Sequence, residues 1–316
     1  MTTRKKQTLH PAITKTLAAA LLFFVVIPTA WASGPAEDLQ GFATPEAAVG
    51  ALAAAIGSND AAHLLAIFGK DGMALFSSGD PVADQQRREK FTQAYERKHA
   101  LSREGAGMIL IIGDQDWPFP IPMVQHGARW FFDTAAGKEE MLNRWIGENE
   151  LDTIQTLLAI VDAQREYAMQ DRDGDGLLEY AEKFAGDPGR RNGLYWETAP
   201  GEAPSPLGRL VAEAWSEGYR RTGEPSGPIP YHGYYFRILK AQGPHADGGP
   251  YDYMVNGHMI GGFGVLAYPA TYGVSGVMSF QVNHAGVIYE KNLGPATAKI
   301  APVIEAFDPD RTWQQH

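Results

Sequence analysis

The sequence contains no cysteine among its 316 residues. This excludes disulfide bonds, thiolate metal sites, cysteine nucleophiles and a lipidated N-terminal cysteine. Basic residues are also few, because 27 Lys and Arg stand against 37 Asp and Glu, for a formal net charge of −10 at pH 7. Phosphate binding requires concentrated Lys and Arg, so we expect no nucleic-acid partner. The apolar content of 44% is that of a globular chain with one or two cores.

Only one long apolar run is present, and it lies near the N-terminus. Residues 17–27 follow four basic side chains and precede Ala30-Trp31-Ala32. This pattern predicts a secretory signal peptide over residues 1–32, cleaved after Ala32. An uncleaved membrane anchor is the alternative, because the run is near the short end for a span of about 20 residues. Cleavage would remove four basic and no acidic residues, move the formal charge from −10 to −14 and leave no transmembrane segment.

The sequence after the signal begins with helix signals. Thr44-Pro45-Glu46, Ser58-Asn59-Asp60 and Asp80-Pro81 each combine a capping side chain with a favourable first turn, which predicts three helices. Apolar runs at 108–112, 119–124 and 130–132, separated by turn residues, predict strands. Residues 38–135 are therefore expected to form an α+β domain. In this order of elements the domain is similar to the cone-shaped domains of nuclear transport factor 2.

The remaining chain divides into three parts. Residues 136–190 combine a helix over 138–170 with an acidic loop, and the helix has an apolar stripe expected to face the core, made of Leu151, Ile154, Leu157, Leu158, Val161 and Ala168. Residues 191–230 form a Gly/Pro-rich connection with one helix predicted over 207–219. Residues 231–316 are β-rich, with strands at 234–239 and 263–268 and a hairpin around residues 283–286. The predicted fold class is α+β with a C-terminal antiparallel β-meander.

The acidic loop is residues 171–182, with the sequence DRDGDGLLEYAE. An EF-hand calcium loop places oxygen ligands at positions 1, 3, 5, 7, 9 and 12, and glycine at position 6 for the sharp turn. The chain has Gly176 at position 6, and a short helix is expected after the loop. The sequence therefore predicts a Ca²⁺ site whose ligands are Asp171, Asp173, Asp175, the Leu177 carbonyl, Glu179 and Glu182.

An acidic, solvated turn is the alternative interpretation of this loop, and Mg²⁺ is an alternative ion. The turn is disfavoured because carboxylates this close repel one another unless a cation neutralises them. Hard oxygen ligands, with no histidine inside the loop, favour calcium over zinc or copper. Sensor EF-hands normally pair two loops, and the sequence has one complete match, so we expect structural calcium rather than switching.

No catalytic motif is complete. Residues 273–276 fail the G-x-S-x-G spacing, which favours a β-turn around Ser275. His258 and His284 fit no known triad order with Ser275, although an acid or Ser275 within hydrogen-bond reach of either histidine would favour an enzyme. We therefore expect a non-enzymatic binding or envelope-accessory protein whose partner is an envelope protein or a small ligand. The alternative is a hydrolase acting on glycan or peptide, with its site in the aromatic region around Tyr253.

Several segments resemble a known family. They are residues 42–45, 117–122, 146–151, 162–168, 273–278 and 307–310, with the sequences FATP, WPFPIP, IGENEL, DAQREYA, GVSGVM and FDPD. The chain resembles the exported bacterial family DUF2950 over nearly its whole mature length. That resemblance implies a periplasmic location and implies no activity. The order of long helix, acidic loop and meander also resembles the soluble part of type II secretion pseudopilins, but the pilin N-terminus is missing.

Overall fold

The computed structural model describes residues 39–172, 174–219 and 228–316. The predicted signal peptide, residues 1–32, lies outside the described residues, and so does Asp173 of the acidic loop. Among the described residues no single helix is long and apolar enough to cross a membrane. The helices Pro45–Gly57 and Ala61–Leu75 reach the required length and hydropathy only when they are counted as one span. The chain bends by 113° at the break between them.

Three capped helices open the described chain, as predicted. They are α1 (Pro45–Gly57), α2 (Ala61–Gly72) and α3 (Pro81–Arg97). Thr44, Asp60 and Asp80 precede them, and each side chain accepts a hydrogen bond from a backbone N–H of the first turn. These bonds satisfy donors that have no partner inside the helix.

A five-stranded antiparallel sheet follows. Its strands are β1 (His99–Glu104), β2 (Gly107–Ile112), β3 (Trp117–Pro118), β4 (Met123–His126) and β5 (Arg129–Phe132). The order is β1-β2-β4-β5, with β3 paired to β2. The strand predicted over 119–124 is confirmed only at its end, since residues 123 and 124 lie in β4 while residues 119–122 form no strand. Pro120 and Pro122 carry no N–H for a ladder.

A single long helix, α4 (Thr134–Tyr167), is shared by two hydrophobic cores. Met141 and Trp145 belong to the N-terminal core, with α1, α2 and the first sheet. Leu157 and Ile160, further along, belong to the C-terminal core. The predicted helix is confirmed, but the stripe is only partly buried. Leu151 is 62% exposed and Leu158 38% exposed.

No helix follows the acidic loop in residues 174–207, so the predicted exit helix is wrong. The backbone there bonds to distant partners instead of to itself. The amide N–H of Ala181 donates to the Gln164 side chain, which donates back to the Ala181 carbonyl, both at 2.8 Å. The Tyr180 N–H donates to the Met259 carbonyl at 2.9 Å. The next helix is α5 (Gly208–Ser216), close to the predicted 207–219.

The C-terminal part is a second antiparallel sheet, as predicted. The further elements are β6 (Tyr234–Leu239), β7 (Ala241–Gln242), β8 (Tyr251–Asp252), β9 (Gly264–Pro269), β10 (Met278–Asn283), β11 (Ile288–Asn292), α6 (Thr297–Ile300) and β12 (Gln314–Gln315). The main sheet has the order β12-β11-β10-β9-β6, while β7 pairs with β8. Strands β10 and β11 form the predicted hairpin. The α+β class is confirmed.

Candidate metal centre

The acidic loop is folded by its own carboxylates. The Asp171 carboxylate accepts hydrogen bonds from the N–H groups of Gly174 at 2.7 Å and Gly176 at 2.9 Å. Gly176 has a φ of +89°, a backbone conformation that disfavours any side chain. Asp175 in turn accepts from the Leu177 N–H at 2.8 Å. The sharp turn expected at position 6 of the motif is therefore present.

A histidine from a distant turn joins this loop. His258 Nδ1 lies 3.0 Å from Asp175 Oδ2 and 3.1 Å from Glu179 Oε2. The Tyr180–Met259 backbone bond holds the two segments side by side. One ligand atom each from Asp175, Glu179 and His258 lies within 4.8 Å of the other two. The sequence motif did not reveal His258, because it is 79 residues from Glu179 along the chain.

Glu182, the predicted bidentate ligand, has a different partner. Its Oε2 accepts from Lys240 Nζ at 2.6 Å. The side chains of Leu177 and Leu178, in the middle of the motif, are exposed rather than packed against a core. The loop therefore brings together Asp175 and Glu179 of the predicted set, while Glu182 is paired with Lys240.

The other sequence candidates do not converge on one another. Ser275 is buried in a turn, where its hydroxyl donates to the Thr271 carbonyl at 3.2 Å and accepts from the Thr271 N–H at 2.9 Å. His284 packs edge-on against the rings of Tyr253 and Phe263. Among the described residues no hydrogen bond joins Ser275 to either histidine. Of the candidate histidines His258 and His284, His258 contacts carboxylates of the described chain, and both of them belong to the acidic loop.

The half-buried position of His284 has a consequence for stability. Burial, with a smaller contribution from Arg165, lowers the pKa of His284. The unfolded chain therefore binds a proton at His284 more readily than the folded protein, near the usual value of about 6.5. We expect the stabilisation to be complete above that pH and to decline as the pH falls below it. Urea unfolding at pH 8, 6.5 and 5 measures the decline. The free energy of unfolding of the variant His284→Gln should decline less over the same pH range. An equal decline in both proteins would show that the pH dependence does not come from His284.

A second polar cluster was missed by the sequence analysis. His232 lies with Nδ1 3.5 Å from Asp152 Oδ2 and Nε2 3.3 Å from Glu217 Oε2. Nearby, the Tyr219 hydroxyl donates to buried Asp80 at 2.9 Å and the Gly233 N–H donates to the same carboxylate oxygen at 2.8 Å. Burial and the Asp80 charge raise the pKa of Tyr219, so its hydroxyl stays protonated and remains a donor. These residues are far apart in sequence and follow no motif.

Comparisons with known proteins give one result. The model of the family DUF2950, described as a protein of unknown function, matches residues 39–316. No curated protein and no solved structure matches the chain.

Proposed function

This chain belongs to the DUF2950 family, and we propose that it is an exported, periplasmic calcium-binding protein with a non-enzymatic binding or envelope-accessory role. The proposed ligands are Asp171, Asp173, Asp175, the Leu177 carbonyl, Glu179 and Glu182. Asp173 is assigned from its place in the motif alone. The observation that carries the proposal is the convergence of Asp175 Oδ2 and Glu179 Oε2 on one point, now taken by His258 Nδ1.

The chemistry of the loop favours a hard divalent cation. Its carboxylates supply several oxygen ligands within one turn of chain, which suits Ca²⁺. Without a cation, backbone N–H donors, His258 and Lys240 partly relieve the mutual repulsion of these carboxylates. A divalent ion would neutralise more charge than one histidine can. The position of Gly176 and the turn around Asp171 support an ion held from inside the loop.

The pairing of Glu182 with Lys240 does not oppose this proposal. Both side chains are substantially exposed, at 36% and 48%. Exposed ion pairs contribute about 0 to 1 kcal/mol. Release of Glu182 from Lys240 therefore costs little compared with the binding of a carboxylate to a divalent ion.

The contact of His258 with two acids supports a second candidate. Two carboxylates and one imidazole can hold a transition metal such as Zn²⁺, with a fourth position left open for water or substrate. A metal in this position would support the hydrolase alternative, with Asp175, Glu179 and His258 as ligands. Substrate would be glycan or peptide, as the aromatic side chains of the C-terminal region indicate.

Calorimetric titration of the chelator-treated chain from residue 33 onward tests the proposal. We expect saturable one-to-one Ca²⁺ binding with a dissociation constant of about 10⁻⁴ to 10⁻³ M, as in extracellular modules. At a free concentration of 10 to 100 times that constant, the stabilisation is about 1.4 to 2.7 kcal/mol, visible as a raised unfolding temperature.

Three results of this titration would decide between the candidates. Glu182→Gln should weaken Ca²⁺ binding and leave the unfolding temperature without Ca²⁺ nearly unchanged, because the exposed ion pair with Lys240 contributes little to stability. Zn²⁺ binding tighter than Ca²⁺ would favour the hydrolase candidate instead. Absence of binding heat and of a shift in unfolding temperature with either ion at millimolar concentration would show that the loop is an acidic, solvated turn. That result would refute both metal-binding candidates.

A further inference from the structure

The N-terminal unit contains a cavity that the acidic loop does not touch. It lies between α3, α4 and β2 and has a volume of about 770 Å³. Ligand pockets commonly have volumes of about 300 to 1,000 Å³. Its floor is formed by buried apolar side chains, which are Ile56, Leu75, Ile112, Phe119 and Met141. The cavity can therefore accept the apolar body of a small molecule.

Aromatic rings form much of its wall. Phe91 stands edge-on to Phe119, and Trp117 also meets Phe119 edge-on. Trp145 and Phe76 complete this wall. Rings of this kind offer large apolar contact area with little loss of side-chain freedom. They make the interior unfavourable for a bare inorganic ion, which would lose its hydration there.

The rim of the cavity is basic, in contrast to the rest of the chain. Five basic residues line the cavity against three acidic ones, although the whole chain carries a net charge of −10. Four of the five already have acidic partners. They are Arg87 with Asp84, Lys90 with Glu148, Arg97 with Asp114 and Arg144 with Glu140.

The fifth basic residue, Arg88, is different. Within the described residues its guanidinium has no hydrogen bond and no ion pair, and its side chain is only half-exposed on α3. A guanidinium binds a carboxylate through two parallel N–H donors, which gives both strength and orientation. An unpaired arginine at the mouth of an apolar cavity is the arrangement that an amphipathic anion would satisfy.

We propose that this cavity binds a small organic anion with a hydrocarbon body, specifically an aliphatic carboxylate. The hydrocarbon enters between α3, α4 and β2, and the carboxylate stays at the rim with Arg88. Both parts of the ligand are needed for binding. The apolar floor has no partner for a charged group, and the basic rim has no apolar surface for an alkyl chain. This site is separate from the metal centre and does not depend on it.

Calorimetric titration with octanoate and decanoate, below their micelle concentrations and with chelator present, tests this proposal. The protein is purified after expression of the full chain. We expect one-to-one binding, with decanoate about 15-fold tighter than octanoate, because each added methylene contributes about fourfold. The neutral control 1-octanol should bind at least about tenfold more weakly than octanoate, since it forms no charge-assisted bond with Arg88.

A pair of variants assigns the carboxylate to Arg88. Arg88→Gln should weaken octanoate binding by about 10-fold or more and leave 1-octanol binding unchanged. Arg103→Gln removes the same charge from an exposed position on β1, outside the cavity, and should change neither affinity. Arg88→Lys retains the charge and should retain part of the affinity. Unfolding temperatures verify that each variant is folded.

Three results would overturn the proposal. Absence of saturable binding of decanoate at millimolar concentration would refute the site itself. Equal weakening by Arg88→Gln and Arg103→Gln would show that octanoate responds to net charge and not to the cavity. Equal affinity for octanoate and 1-octanol would show that the carboxylate does not contribute to binding.

Discussion

Replacement of Asp80 by alanine is expected to lower the free energy of unfolding by about 3 to 5 kcal/mol. Asp80 is 1% exposed and caps α3 by accepting from the N–H groups of Val82 and Ala83. It also accepts from the Tyr219 hydroxyl and the Gly233 N–H, which belong to segments about 140 to 150 residues further along. Alanine would leave these buried donors without an acceptor. Urea unfolding measures the loss.

Two further variants separate the cap from the long-range bonds. Asp60→Ala removes a cap of the same kind from α2, where the side chain is exposed, and should cost only about 1 kcal/mol. Asp80→Asn retains one acceptor oxygen and should cost less than alanine. If Asp80→Ala cost no more than Asp60→Ala, the bonds to Tyr219 and Gly233 would contribute nothing to stability.

The second large effect concerns the metal centre. Asp175→Asn is expected to weaken Ca²⁺ binding on the order of a hundredfold, because a full negative charge beside a divalent ion is lost. His258→Gln should change the Ca²⁺ affinity by less than about threefold, since a calcium site is built from oxygen ligands. Both dissociation constants are measured by calorimetric titration of chelator-treated protein.

The same pair of variants distinguishes the two candidate functions. Unchanged Ca²⁺ binding in Asp175→Asn, together with loss of Zn²⁺ binding in His258→Gln, would show that the calcium proposal is wrong. The same result would support the transition-metal candidate. Lys183→Gln provides a matched control. Lys183 pairs with Asp187 outside the motif, and its loss should leave both metal affinities unchanged.

Local signals in the sequence predicted most elements correctly. The caps at Thr44, Asp60 and Asp80 place the first three helices, because a cap depends on residues three positions apart. The hairpin between β10 and β11 is likewise set by a short turn. Strand β1 was missed because its residues are polar and mostly exposed, so it shows no apolar run.

Features that depend on partners far away along the chain could not be predicted from local sequence patterns. The helix expected after the acidic loop is absent because Gln164 and Met259 take the backbone groups of Tyr180 and Ala181. The contact of His258 with Glu179 depends on how two remote segments align. The candidate metal centre was therefore predicted in its loop residues but not in its histidine. The basic cavity rim was missed because its side chains come from two helices, α3 and α4, that are about 50 residues apart along the chain.

Helix α4 has a consequence for the order in which the chain acquires its fold. The N-terminal core is assembled from residues 42–141, whereas the C-terminal core must bring residue 154 to residue 288, a longer chain closure. The first turn of a helix is its unfavourable step, and extension adds one bond per residue. We therefore expect the N-terminal core to form first and to fix the start of α4. The helix then extends, and the second sheet packs against its apolar face.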